Sequence, residues 1–416
     1  MFFIGDFHIH SKYSRATSRL MDLLNLDRWA QIKGITVLGT GDFTHPDWIR
    51  ELKSQLSPAE QGLFRLKKHD SPTRFMLTSE ISCIYSKKGK VRKNHLIIFS
   101  PSFESVEKIN NKLDKIGNIE SDGRPILGLD SKELIKIILE INENCFIVPA
   151  HAWTPWFSVF GSKSGFDSLE ECFEDLTKYI YAIETGLSSN PAMNWRLSQL
   201  DNITLISNSD AHSLQKLGRE ANVFDTELSY QSIFEAIKTK DKNKFLYTIE
   251  FFPEEGKYHY DGHRVCKINL SPVESKKYNN ICPVCGKTLI IGVLNRVEEL
   301  ADRPEGFIPE NAIPFKSIVP LNEIIAKSIG MSITSKEVDK YYNNLIKNLG
   351  NEFHILLKTE QSEIEKESNS KIAEAVIRVR EGKIDIEPGY DGVYGNIKIF
   401  KEEEKNLNGK FQKNLF

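Results

Sequence analysis

Histidines and acids stand along this chain at intervals that could gather divalent cations. The residues are His8-x-His10, Asp42, His45, Glu80, His95, His151 and Asp210-Ala211-His212. Neutral imidazole nitrogens and carboxylate oxygens suit Zn2+, Mn2+ or Mg2+. In His-x-His the two rings can share one face of an extended segment, because residues two apart point the same way. Leaving His45 aside, eight ligand-type side chains exceed the three or four donors that one ion takes, so two or three ions are expected. Clustered ions suit phosphoester hydrolysis: one activates water, another stabilises charge on phosphoryl and leaving oxygens. Any one of these histidines alone would be read as structural; their joint placement carries the metal reading.

A second constellation is His263-x-x-Cys266 followed by Cys282-x-x-Cys285, with fifteen residues between Cys266 and Cys282. Two ligand pairs across such a loop predict one structural Zn2+ site. Pro283 and Gly286 fit the tight turn around the second pair, and His259 is the alternative fourth ligand. Cys83, Cys145 and Cys172 are spread out and read as core residues.

The elements that must position the first set alternate in type. Apolar, β-branched runs are marked at Phe2–His8, Ile35–Gly39, Arg74–Thr78, His95–Phe99, Cys145–Val148, Tyr179–Ile183 and Ile203–Ser207. Amphipathic stretches such as Leu20–Lys33, Ser131–Asn142 and Ser229–Thr239 lie between them. This alternation predicts an α/β fold, either a parallel sheet or a β/α barrel. Barrel chemistry sits at the C-terminal ends of strands. Five of the ten histidines (His8, His10, His45, His151 and His212) fall just past an expected strand. Asp6 and Glu184 fall there too, as carboxylates that could orient a ligating imidazole. Ile81–Ser86 and Val91–Ser100 read as a hairpin around Lys87-Lys88-Gly89-Lys90, whose return places His95 beside Glu80.

Beyond residue 254 the pattern changes. The expected division is a catalytic barrel over 1–254, a zinc-binding module over 255–319 and a helical segment over 320–416. Lys327–Ile329, Val338–Leu349 and Ile372–Arg380 are the apolar-periodic parts of the last. Gly389, Gly392 and Gly395 mark a turn-rich close.

Composition sets the outer bounds. The 416 residues suit two or three domains, and 40% apolar with 27% charged residues is an ordinary globular balance. With 55 basic and 57 acidic residues the formal charge is −2, which excludes a globally basic nucleic-acid binder but not a local basic face. Lys87, Lys88, Lys90, Arg92 and Lys93 on the hairpin are candidate phosphate contacts. Trp153, Trp156, Phe157 and Phe160 follow His151; they could stack on a base or pack their own loop. No apolar run approaches the roughly 20 residues of a membrane span. The N-terminus does not read as a signal peptide, and the Cys usage suits a reducing compartment, so a cytoplasmic protein is expected.

His8-x-His10, Gly41-Asp42, Glu80, His95, His151 and Asp210-Ala211-His212 resemble the polymerase-and-histidinol-phosphatase family of metal-dependent phosphoesterases. The resemblance implies a distorted seven-stranded β/α barrel and a trinuclear site. One ion would be held by His8, His10, Glu80 and Asp210. Glu80 would bridge to a second, held by His95 and His151, and His212 would help with the third. The chain departs from the pattern at Arg15 and Ala16, where an Asp or His is usual, and at Asp42-Phe43, where Asp-His is usual. The third site would then draw on Asp42 or His45.

The zinc module together with Arg296-Val297-Glu298-Glu299-Leu300-Ala301-Asp302-Arg303-Pro304 is similar to a DNA-repair lineage of that family. It implies a nuclease that cuts 5′ of deaminated bases (uracil, hypoxanthine, xanthine) or abasic sites, leaving 3′-hydroxyl and 5′-phosphate ends. Its partner would be single- or double-stranded DNA with a damaged base, and a sliding clamp is a further candidate. The rival readings are a small-molecule phosphatase of the histidinol-phosphatase type and a non-catalytic nucleic-acid-binding protein.

Overall fold

The computed structural model describes residues 1–401. Expected strands and helices are found close to their expected bounds. Ser131–Ile141 is a helix because Asp130 caps it, accepting a hydrogen bond from Lys132 N, and because Leu134, Ile135 and Ile138 form one buried stripe. Tyr230–Thr239 is built likewise, with Ser229 as cap and Ile233, Phe234 and Ile237 inward. Pro46–Gln55 starts with Pro at its first position and His45 as its cap.

The chain divides into two compact units, and neither is continuous in sequence. The first comprises Met1–Gln31, Ile35–Glu250 and Ile291–Lys316; the second comprises Ile32–Gly34, Phe251–Ile290 and Ser317 onwards. This differs from the three consecutive parts expected. Residues 291–316 rejoin the first unit because Arg303 pairs with Asp201 at 2.6 Å and Thr248 N donates to Pro314 O.

In the first unit, Phe2–Asp6 lies parallel to Val37–Gly39, which lies parallel to Arg74–Lys87. Ala221–Asp225 and Phe245–Glu250 extend the other edge antiparallel. Lys90–Ser100 pairs antiparallel with both Arg74–Lys87 and Phe146–Pro149. These strands belong to one mixed eleven-stranded sheet. Ala182–Glu184 and Thr204–Ile206 form a separate parallel pair. The expected α/β class is met by a mixed fold with a central sheet, and among the described residues the strands of the expected distorted seven-stranded barrel do not close.

The physical reason lies in the polar side chains at the gaps. Phe7 N donates to Asn208 Oδ1, Ser207 N to Asn222 Oδ1, and His151 N to Glu184 Oε2. Side-chain acceptors satisfy backbone donors where a ladder would otherwise run. Beneath these gaps sits an apolar core that includes Phe3, Phe7, Met76, Phe99, Phe146, Val148, Ile206, Phe224, Phe234 and Phe245. Its aromatic rings interlock, for instance Phe99 against Phe234 at 5.0 Å and Phe224 against Phe245 at 4.8 Å.

The hairpin exists, but its register differs from the simple return expected. The tight turn is Lys88-Gly89, so Ser82, not Glu80, faces His95, and Glu80 faces Ile97. Glu80 and Ser82 share a face. The two functional side chains thus meet diagonally across the sheet.

The second unit is a helical cluster joined to a small β element. Asp261–His263 pairs with Ile268–Leu270. Leu321–Ile329, Lys336–Leu349 and Ser370–Arg380 are the main helices, each with a buried apolar stripe. Gly389 N and Gly395 N donate to the carbonyls of Glu254 and Glu255, which ties the closing turns to the start of the unit. Among the described residues, no helix is long and apolar enough to cross a membrane.

Candidate metal centre

Two groups of donors converge past the strand ends of the first unit. Ligand atoms of His8, His10 and Asp210 lie within 4.8 Å of one another, and so do those of Glu80, His95 and His151. Glu80 joins the groups. Its Oε1 is 2.7 Å from His95 Nδ1 and 3.0 Å from His151 Nε2. Its Oε2 is 3.3 Å from His10 Nε2 and 3.6 Å from His8 Nε2. One carboxylate therefore faces four imidazoles drawn from three distant parts of the chain.

Each imidazole of the first group is aimed by a carboxylate behind it. His8 Nδ1 is 3.1 Å from both oxygens of Glu184. His10 Nδ1 is 3.0 Å from Asp42 Oδ1. Such a pair selects the tautomer that leaves Nε2 as a lone-pair donor. Asp42 is itself saturated: Oδ2 accepts from Ser11 N, Ser11 Oγ and Ser14 Oγ. Asp42, expected as a ligand, lies outside both donor groups. Its four hydrogen bonds make it the support of His10.

His45, also expected as a ligand, lies outside both groups as well. Its Nδ1 accepts from Asp47 N at the start of Pro46–Gln55, and its ring stacks on Tyr13 at 4.4 Å. His212 stays at the site, with its ring 4.4 Å from that of His10 and its Nδ1 on the carbonyl of Asp210 at 2.9 Å. It belongs to neither donor group. Asp6 accepts from Ser209 N and Gly218 N, and so holds the turn that carries Asp210. Burial pushes its pKa up to about 6.

The electrostatics follow from packing acids against imidazoles out of water. Burial pulls His8 down, but Glu184 and Glu80 more than offset it and leave the pKa well above the ordinary value. Burial likewise opposes the His10 cation, and Asp42, Asp210 and Glu80 together outweigh it. His95, held chiefly by burial, is drawn down to about 4 and stays neutral. Burial would raise Glu80, yet His95, Arg124 and His8 hold it well below the carboxylate range.

The residues fit divalent cations. His8 Nε2, His10 Nε2 and Asp210 Oδ1 are buried atoms without a hydrogen-bond partner. Leaving a buried polar atom unsatisfied costs about 1–3 kcal/mol. Three such atoms facing one another are satisfied together by a cation. The backbone is also strained toward this arrangement: His151, Asp210 and Asp42 all have positive φ, of 29°, 47° and 52°. A Cβ on Gly186 would meet His151 Cα at 2.7 Å, so that position has room only for glycine.

Sequence reasoning missed Arg124. Its Nη1 lies 3.1 Å from Glu80 Oε2. The available signal was an arginine in Ser121-Asp122-Gly123-Arg124-Pro125, a turn-forming run with no apparent task.

The hairpin cations divide. Lys87 pairs with Glu174 at 2.8 Å, and Arg92 lies over Phe166 at 4.1 Å. Lys93 sits over Phe157 at 5.2 Å, and Phe157 in turn lies 4.8 Å from His95. Lys88 and Lys90 are exposed. The aromatic loop divides as well. Trp153 and Phe160 are buried against each other, whereas Trp156 is 46% exposed.

In the second unit, ligand atoms of His263, Cys266, Cys282 and Cys285 lie within 4.8 Å of one another. The second knuckle is closed by Gly286 N on Cys282 O, with Gly286 at φ +73°. Burial opposes the Cys282 thiolate, but the N–H groups of Cys285 and Val284 lower its pKa to about 7. His259 is buried outside this group, its ring stacked on Tyr260. Cys83, Cys145 and Cys172 are buried free thiols.

Comparison with known proteins matches this arrangement to one lineage. The family model described as the MJ0043 C-terminal domain matches residues 320–383. Protein MJ0043 of Methanocaldococcus jannaschii is 36% identical over 261 residues, which are 61% of this chain but 31% of that relative. The chain thus spans about a third of that curated relative. The crystal structure of the lesion-specific endonuclease EndoQ from Pyrococcus furiosus is similar at a TM-score of 0.86 and 32% identity, covering 98% of this chain and 99% of that one. An endonuclease Q complex with a 27-mer duplex carrying an abasic lesion at its active site is similar at a TM-score of 0.84 and 32% identity, covering 97% and 98%. With the likeness extending over both chains almost end to end, the chain belongs to the endonuclease Q family.

Proposed function

We propose that this protein is a metal-dependent DNA-repair endonuclease. It hydrolyses the phosphodiester 5′ of a deaminated base (uracil, hypoxanthine or xanthine) or of an abasic site in DNA. The observation that carries the reading is Glu80, one buried carboxylate facing His8, His10, His95 and His151 at 2.7–3.6 Å.

In this reading His8, His10, Glu80 and Asp210 hold one cation, and Glu80, His95 and His151 hold a second. His212 stands where it can complete a further site. His263, Cys266, Cys282 and Cys285 hold one structural Zn2+. Zinc suits the imidazole-rich set best, and Mn2+ or Mg2+ are alternatives at the catalytic positions. Bound cations supply activation of water and stabilisation of charge on the phosphoryl oxygens.

The chain's own part is to fix geometry. Glu184 and Asp42 keep the Nε2 lone pairs of His8 and His10 aimed at the centre. Burial lowers the His95 pKa to about 4, so near neutral pH its imidazole offers a donor lone pair. In the reaction the water oxygen bonds to phosphorus, the bond from phosphorus to the 3′-oxygen breaks, and that oxygen takes up a proton. The products are 3′-hydroxyl and 5′-phosphate ends.

Single-lesion duplexes with uracil, hypoxanthine, xanthine or an abasic site, incubated with metal-loaded protein and mapped at both ends, test the reading. Incision 5′ of the lesion is expected. His8→Ala and Asp210→Ala are each expected to lose at least 10³-fold, a scale set by removal of one charge-stabilising group. Wild-type rates in either variant would overturn the mechanism. Hydrolysis of histidinol phosphate without any cut in DNA would overturn the substrate.

A further inference from the structure

Arg124 is a cation set among cation ligands, and its surroundings hold it there. The preceding Gly123 donates from its N–H to Tyr13 O and accepts at its carbonyl from Thr44 Oγ1, each at 3.1 Å. A Cβ at Gly123 would come 2.4 Å from both Asp42 Oδ2 and Ser14 Oγ, so the loop is pressed against the group that supports His10. Arg124 N donates to Asp122 Oδ1, which also accepts from Arg15 N. On the far side Ser82 N donates to Pro125 O, which ties the loop to the strand that carries Glu80. Both neighbours of Arg124 are thus fixed, so the backbone that carries its side chain is held at the site.

The guanidinium meets Glu80 through one nitrogen at 3.1 Å, while the side chain remains 29% exposed. Glu80 is shared already with four imidazoles. One carboxylate cannot neutralise Arg124 and two adjacent cation sites together. An anion arriving from the open side supplies the missing charge. A guanidinium offers a planar fork of donors that matches phosphate oxygens two at a time, and an aligned pair of that kind is stronger than a single contact.

We propose that Arg124 is a phosphate-binding catalytic residue, which donates hydrogen bonds to a non-bridging oxygen of the scissile phosphodiester. This rests on the phosphodiesterase reading above. It adds a residue that the ligand pattern does not contain. Charge that develops on the phosphoryl oxygens meets a donor already in place, so no reorganisation is needed at the moment of reaction.

The test has two arms. In the first, metal-loaded wild type, Arg124→Gln, Arg124→Lys and Arg124→Ala are compared on a uracil duplex, with elemental analysis of each protein. Expected is a loss in kcat of about 10²–10³ for Arg124→Gln, a smaller loss for Arg124→Lys, and recovery of at least tenfold in Arg124→Ala on adding guanidinium ion. Metal content is expected to stay at the wild-type value. Wild-type kcat in Arg124→Gln would overturn the proposal. So would a loss matched by missing metal, because Arg124 would then only be holding Glu80.

In the second arm, binding of inorganic phosphate to metal-loaded wild type and Arg124→Gln is measured by calorimetry. At least tenfold weaker binding in the variant is expected, and equal affinity would overturn the proposal. This arm needs no nuclease activity. If the wild type cuts no lesion duplex, the endonuclease reading fails while the phosphate arm still decides on Arg124.

Discussion

Asp42 and Glu184 show how little a residue's type says about its task. Both are buried acids past strand ends, and either could have met an ion directly. Hydrogen bonds from Ser11 and Ser14 fill the second oxygen of Asp42, and those from His151 N and Asn208 engage Glu184. Only the histidines in front of them remain available. Glu250 lies near the same interior and has a different consequence. Burial raises its pKa to about 8, with Glu184 nearby adding to the effect. The native state then holds a proton that the unfolded chain releases above about pH 4.5. Stability is therefore full below that pH and falls as pH rises through about 8. Glu250→Gln cannot titrate, so its unfolding free energy should change less between pH 5 and 9 than that of the wild type. At the alkaline end the variant should have lost less of its own pH 5 stability than the wild type has. Denaturant titrations of both proteins at a series of pH values would check this, and parallel curves would contradict it.

At the scale of elements, the helix Val293–Leu300 explains why the run from Arg296 to Pro304 stands out in the sequence. Arg296 is nearly buried, and its guanidinium donates to the carbonyls of Phe160 and Phe166 and pairs with Asp167 and Glu299. It clamps the loop after His151, the loop that lays Phe157 on His95. Arg303 and Arg196 add parallel ties, to Asp201 and Glu298. Truncating Arg296 leaves those acceptors without their donor. Arg296→Ala should cost about 1–3 kcal/mol, the scale for leaving the buried carbonyls of Phe160 and Phe166 without their donor, and it should open the segment 155–165 to limited proteolysis. Arg296→Lys, which cannot reach all partners at once, should recover only part of the loss. Cleavage patterns and unfolding midpoints measure both. An unchanged digestion pattern would remove the clamp from the account.

For the whole molecule, the chain visits its two units alternately, and the second carries a knuckle with four donors. Cys282 and Cys285 bracket a turn with few apolar contacts of its own; Val284 is 66% exposed. A segment so poor in core would rely on a bound ion for order, as small metal modules do, with binding energies of about 10–16 kcal/mol in zinc-finger peptides. Cys285→Ser should lose one equivalent of zinc by elemental analysis and become sensitive to protease between residues 261 and 290. The ions at His8, His10 and Asp210 should be retained. Full zinc content in that variant would remove the structural site.

The ligand types, their position past strand ends, the Cys/His pairs and most element bounds were legible from the chain alone. They follow from local rules: side-chain period, capping, and donor chemistry at short spacing. Three things were not legible. The hairpin register turned on a two-residue turn, which set Ser82 directly opposite His95, although the side chains of His95 and Glu80 still meet at 2.7 Å. The separation of Asp42 from the ligands turned on hydroxyls of Ser11 and Ser14, which reach it only after folding. Arg124 and the return of residues 291–316 depend on contacts between positions 44 to 136 apart in sequence. Such contacts leave no periodic trace, because they join positions far apart in sequence. The amino-acid order therefore determined which atoms could bind a cation, and the tertiary structure decided which of them face it and which stand behind to aim them.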